Sequence, residues 1–230
     1  MASRPWLRMA NTAAREFSPH ATEVVLGELE VAGEVVAPQS GAMCAEDPDR
    51  DILGLVRAGD LNAALRRLMQ RHGIAVYRYC RLTLRDTTLA DDVHQQIFIQ
   101  AHRDLAKFAE LSTLRTWLFA IARHRVLDAA KSRRRALVHI EERDVADAPD
   151  LGPTPGERID DARLRTALVA CFAELGEHLR TAVLLRYQQG FTFEDMAEAC
   201  REKPGTLQAR VMRALPKLRA CIEARTGGRL

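Results

Sequence analysis

The side chains best able to do chemistry are few. Asp91, Asp92, His94 and His102 fall close together, and His124 and Asp128 lie one helical turn apart. Carboxylates and imidazoles at such spacings bind metals and transfer protons. Asp91 and Asp92 are chain neighbours, however, and neighbouring side chains on a helix diverge by about 100 degrees. No nucleophile elbow, phosphate-cradling glycine loop or second metal-type cluster accompanies them. Catalytic residues, a bound metal and a cofactor are therefore not expected. The five cysteines, Cys44, Cys80, Cys171, Cys200 and Cys221, show neither Cys-x-x-Cys nor zinc-finger spacing. They are expected to be reduced thiols that mostly fill cores.

Charge carries more information. The net charge is only +3, yet residues 123–135 hold six basic side chains against Asp128 alone. Residues 201–225 hold seven basic side chains against Glu202 and Glu223. Residues 1–51 carry nine acidic groups against four basic ones. An acidic head followed by two separate basic clusters suits a chain that meets a polyanion at two places. Each cluster taken alone fits a solvated helix face equally well.

The elements that must position these clusters read as helices. Hydrophobic residues make up 47% of the chain and aromatics 5%, with Leu, Ala and Arg recurring and β-branched residues sparse. Residues 1–48 show no lasting helical stripe and read as a disordered extension, with a short strand over 28–35 as the alternative. Helical pattern begins near Asp51, and Gly59-Asp60 ends the first helix, with Asp60 able to cap the second. Leu61, Ala64, Leu65 and Leu68 stripe that second helix, which Gly73 is expected to stop. A third runs through Val76 to Leu84, a fourth from about Leu89, and a fifth from about Thr113 to Arg134. Pro149, Pro153 and Pro155 with their acidic neighbours mark residues 137–160 as a flexible linker. The second helical block spans 161–226, where Gly176 interrupts the pattern, and residues 227–230 form a tail. The fold class is all-α: two small helical domains, 49–136 and 161–226, joined by that linker. No run of about 18 apolar residues marks a membrane span. Arg4 and Arg8 are not followed by a secretory apolar core, so a cytoplasmic chain is expected.

Two local patterns give the clusters a use. Thr192 and Asp195 form a capping-box start, and Cys200 to Gly205 form a turn. Thr206 is placed to cap a helix whose inner face is Leu207, Val211 and Leu215. That is a helix-turn-helix with Gln208, Arg210 and Arg213 outward, able to read adenine and guanine edges. An ordinary helical hairpin with a charged face fits the same pattern. In the fifth helix Leu114, Trp117, Leu118, Ile121 and Ala122 face inward, whereas His124, Lys131 and Arg135 share another side that can track phosphates. The preceding loop, Lys107 to Thr113, could hold an unstacked base, whereas Phe108 and Trp117 read equally as core.

Taken in order, these segments resemble the extracytoplasmic-function (ECF) branch of the sigma-70 family of RNA polymerase sigma factors. The resemblance runs through Leu55 to Asp60, Ala90 to Phe98, Arg115 to Arg123 with Asp128, and Phe191 to Leu218. His124 stands where the family's motif usually carries Asn, and Pro216 falls inside the expected last helix, which it should kink. The resemblance implies three contact sets. Asp91, Asp92, Gln95, Gln96 and Phe98 would dock on core RNA polymerase. Ser112, Thr113, Arg115, Trp117, Arg123, His124, Lys131 and Arg135 would open and read the −10 element of promoter DNA. Lys203, Thr206, Gln208, Arg210 and Arg213 would face the −35 element. An anti-sigma factor is an expected partner by resemblance alone, and no membrane insertion is implied. The competing reading is a stand-alone helix-turn-helix regulator that binds duplex DNA without polymerase.

Overall fold

A computed structural model of the 230-residue chain describes residues 48–138 and 159–227. The acidic head, the possible strand at 28–35, Cys44 and the proline-rich segment fall outside the described residues, save the ends of those ranges. Among the described residues every regular element is helical. The first group comprises α1 (Arg50–Arg57), α2 (Leu61–Leu84), α3 (Thr87–Leu105) and α4 (Leu114–Val138). The second comprises α5 (Ile159–Glu174), α6 (Glu177–Val183), a π-helical turn over Leu184–Gln188, α7 (Phe193–Cys200) and α8 (Pro204–Thr226).

Short-range chemistry sets most of the starts. The Asp60 carboxylate accepts from the Ala63 amide at 2.9 Å, and Gly59 takes the left-handed backbone (φ +80°) that the turn between α1 and α2 needs. Asp86 caps α3 in the same way, accepting from Leu89 N at 2.9 Å. Each such cap stabilises a helix by about 1 kcal/mol. The α1 entry is tied down more firmly. Asp49 is fully buried, and its carboxylate accepts from His72 Nε2 at 2.9 Å and Arg71 at 3.0 Å.

Two expectations about boundaries are corrected. α2 is one helix of 24 residues and passes straight through Gly73. A glycine inside a helix costs about 1 kcal/mol relative to alanine. The buried stripe Leu68, Val76, Tyr79 and Cys80 outweighs that, at roughly 1.5–3 kcal/mol for each large apolar side chain. At the other end, α8 begins at Pro204 with Lys203 as its cap residue, so Thr206 lies within the helix and caps nothing. Proline suits a first helical position because the amide it lacks would have no helical acceptor there. α8 continues through Pro216 to Thr226.

The two groups pack on one another. Helix α4 lies against α7, and α2 against α5 and α6. Phe119 of α4 meets Phe191, just before α7, edge to face at 5.3 Å. Arg180, almost fully buried, donates to the carbonyls of Phe172, Ala173 and Leu175 and, across the seam, to that of Thr83 at 2.7 Å. The expectation of five reduced thiols is corrected for two of them. Cys171 of α5 and Cys221 of α8 form a disulfide. Cys80 and Cys200 are free and buried. Scattered spacing hid the pair, because only the tertiary fold brings α5 beside α8.

Candidate nucleic-acid and polymerase interfaces

The basic helix α4 is anchored by its apolar side. Leu114, Leu118, Phe119, Ala122 and Val126 are fully buried, and Trp117 packs on Phe108 with ring centroids 5.3 Å apart. The Thr113 side chain accepts from the Thr116 amide at 3.1 Å, which fixes the loop-to-helix junction next to Ser112. His124, Lys131 and Arg135 are exposed along the outer side, as their spacing predicts. His124 is engaged with Asp128 one turn on, at 3.1 Å. Arg133 turns back to donate to the Leu84 carbonyl at 3.0 Å, which separates it from Arg134 and Arg135.

The helix-turn-helix forms as its local chemistry requires. The Thr192 hydroxyl accepts from Asp195 N at 3.1 Å, and Asp195 accepts from Thr192 N at 3.0 Å, so both arms of the capping box are made. Met196 and Cys200 of α7 and Leu207, Val211, Ala214 and Leu215 of α8 bury the crossing. Lys203, Thr206, Gln208 and Arg213 are exposed on the front of α8.

Helix α3 presents Asp92, Gln95 and Gln96 to solvent, with Asp91 half-buried. Phe98 does not join them. It is 3% exposed, stacked edge-on against His94 at 5.0 Å, and supports the face from behind. It also lines a groove of about 320 Å³ between α2 and α3, with Leu65, Met69 and the exposed Ile99. His94 is buried and bonded to the Gly73 carbonyl at 3.0 Å, and burial lowers its pKa. Among the described residues no three His, Cys, Asp or Glu side chains converge to hold a metal, and no helix is long and apolar enough to cross a membrane.

Three of the arginines assigned to DNA are not on the open surface. Arg115 lies over the Phe191 ring at 4.6 Å and donates to the Gln189 carbonyl; burial lowers its pKa. Arg123 of α4 donates to Glu202 Oε1 at 2.8 Å. Arg210 of α8 holds the same carboxylate with both nitrogens, at 2.8 and 2.6 Å. Burial raises the Glu202 pKa, but the Arg210 hydrogen bond and the charges of Arg210, Arg123 and His178 outweigh it and hold the carboxyl below its ordinary range. The contacts that Glu202, Gln189 and Phe191 make with these arginines were not expected from the sequence. The one available signal was that Glu202 is an isolated acid within a basic stretch.

Two family matches cover the two groups of helices. Sigma-70 region 2 matches residues 68–136, and sigma-70 region 4 matches residues 165–218. The ECF RNA polymerase sigma factor SigC of Mycobacterium tuberculosis is 30% identical over 188 residues, covering 79% of this chain and 96% of that protein. SigE of Mycolicibacterium smegmatis, another ECF sigma factor, is 28% identical over 152 residues, and the match spans 66% of this chain and 59% of that protein. In fold the chain is similar to the sigma factor RpoE of Bartonella quintana, solved in complex with the anti-sigma factor NepR. That similarity has a TM-score of 0.57 and 24% identity, over 69% of this chain and 96% of that one. The chain belongs to the extracytoplasmic-function branch of the sigma-70 family of RNA polymerase sigma factors.

Proposed function

We propose that this chain works in the cytoplasm as a promoter-recognition subunit of RNA polymerase, without covalent chemistry of its own. Residues 49–136 act as the region 2 domain and 161–226 as the region 4 domain, tethered by 137–160, with 1–48 as an extension and 227–230 as a tail. The observation that carries the reading is the pairing, in family order, of a basic helix (α4) with a helix-turn-helix (α7–α8).

Each surface then has a task. Asp91, Asp92, Gln95 and Gln96 dock on core polymerase, with Phe98 holding their helix in place. Arg210 and Arg213 read guanine edges of the −35 duplex and Gln208 an adenine edge, while Lys203 and Thr206 contact the backbone. Ser112, Thr113 and Trp117 border the pocket for an unstacked −10 base. Arg115, Arg123, His124, Lys131 and Arg135 supply the positive track beside it. Binding energy from the flipped bases drives strand opening, and polymerase carries out nucleotidyl transfer. An anti-sigma protein, of the kind that accompanies the Bartonella relative, holds the chain inactive.

Run-off transcription with purified core polymerase across a genomic promoter library tests this. The expected result is initiation at a subset of promoters that core polymerase alone does not use. No association with core polymerase, together with tight duplex binding by the chain alone, would make it a free-standing regulator.

A further inference from the structure

We infer that Arg57 of α1 is a positioning residue for −10 recognition: through Glu110 it holds Leu111 out as the apolar side chain against which an unstacked base packs. The inference rests on the reading above that the loop from Lys107 to Thr113 receives such a base. Leu111 is 89% exposed, about twice the exposure of Ile74, Ile99 or Met212, the other exposed large apolar side chains among the described residues. A lone leucine on a surface needs no explanation. This one is presented by a backbone that glutamate rarely adopts, because Glu110 beside it takes the left-handed conformation at φ +55°. Such a turn persists only where its surroundings hold it. The backbone groups of Ala109 to Ser112 make no hydrogen bond to other backbone groups among the described residues.

The hold comes from α1. Arg57 Nε donates to Glu110 Oε1 at 3.1 Å and Nη2 to Oε2 at 2.6 Å, a two-bond fork that fixes direction as well as distance. Helix α1 can serve as the fixed point because its entry is tied through buried Asp49 to His72, and its Ile52 and Leu53 are buried. At the two ends of the loop Phe108 packs on Trp117 and the Thr113 hydroxyl accepts from the Thr116 amide, so it is the tip that depends on Arg57. Glu110 is the one acid between Lys107 and Thr113, and the guanidinium also offsets its repulsion of a phosphate backbone. The pair is exposed, at 62% and 42%, so it adds little to overall stability. Its effect is on where Leu111 stands. A leucine presented in this way can fill the gap left when one base leaves its stack.

The test uses holoenzyme assembled from the full chain and core polymerase. The template is a promoter taken from the run-off library and opened in advance by mismatching its strands over the −10 element. Each of the four bases is placed in turn at each non-template position there, and competition between templates gives the base preference. Leu111→Ala should weaken that preference roughly fivefold at one position, and Arg57→Ala should do the same at the same position. The double variant should be no worse than Leu111→Ala alone, as expected of two residues that act through one contact. The swap Arg57→Glu with Glu110→Arg should recover the preference. Binding to core polymerase and to a −35 duplex should be unchanged, and thermal melts check that each variant is folded. A full preference kept by folded Leu111→Ala overturns the base contact. Additive losses, or a loss from Arg57→Ala spread equally over all four bases, overturn the positioning role. A wild-type holoenzyme that initiates at no promoter removes the sigma-factor reading and, with it, the base that Leu111 would meet.

Discussion

Reducing the Cys171–Cys221 bond should strongly destabilise the second group of helices. The two cysteines are 50 residues apart and join α5 to α8. Opening a cross-link of that span returns loop entropy to the unfolded chain worth about 4 kcal/mol in the chain-entropy treatment. The polar contact beside it adds little. The neighbouring Arg225–Glu174 pair is about half exposed on both sides, and such pairs contribute between about 0 and 1 kcal/mol. For a domain of this size each kcal/mol moves Tm by roughly 4–8 °C. A fall on the order of 15 °C or more is therefore expected when reductant is added to the full chain, with Cys221, the more exposed sulfur, attacked first. Scanning calorimetry with and without reductant measures it, and peptide mapping after alkylation fixes the thiol state. The Cys171→Ser, Cys221→Ser double variant should melt low and ignore reductant. An unreduced wild type that yields two alkylated cysteines at these positions, or a Tm indifferent to reduction, would refute the reasoning.

Three further outcomes are expected. Asp49→Asn should destabilise the first group of helices by about 1–3 kcal/mol in urea melts at neutral pH, because it weakens the buried hydrogen bonds to His72 and Arg71. Burial raises the Asp49 pKa, but its bonds to His72 and Arg71 lower it further, so this stability is present above the ordinary carboxylate range and lost as pH falls through the depressed value; the variant should lack that acid-side loss. Replacing Arg134 and Arg135 with alanine should flatten the salt dependence of DNA binding by up to about two phosphate contacts, whereas Arg133→Ala should change it little, since Arg133 is turned toward Leu84. Equal effects from all three arginines would contradict that division. Glu202, also held below its ordinary range, should keep the two halves together at neutral pH and release them as pH falls through its depressed pKa. Small-angle scattering should register an expansion on that acid side that Glu202→Gln, which lacks the ion pair at every pH, does not show.

Sequence made the local structure legible where one side chain meets one nearby amide. Asp60 and Thr192 start helices for reasons confined to three or four residues, and both caps form. The same reasoning failed at Gly73, where a cost set by the backbone was outweighed by packing from residues far along the chain. It failed at Thr206, because the fixed φ of Pro204 starts α8 three residues earlier. The inward stripe of α4 was legible, and so was the outward placing of Gln208 and Arg213, whereas Arg210 is half-buried. The disulfide and the π-helical turn that sets Gln189 and Phe191 against Arg115 have no short-range signature.

The hardest feature to read was the one on which the DNA-reading assignments bear most directly. Spacing places Arg210 on the outer face of its helix, and the family resemblance puts Arg123 among the −10 contacts, so each reads as free for phosphate or base. Both are in fact directed toward one acid contributed by the turn. A helical period describes a side chain's direction relative to its own axis, not what stands opposite it. Two arginines can approach one another closely only where a counter-charge lies between them, and Glu202 is the sole acid between Arg201 and Arg219. An isolated acid within a basic stretch of a two-part DNA-binding chain is thus a physical reason to look for an internal contact between the parts. Had position 202 been basic as well, Arg123 and Arg210 would have met a third positive charge, and the ion-paired contact between α4 and the turn would be lost.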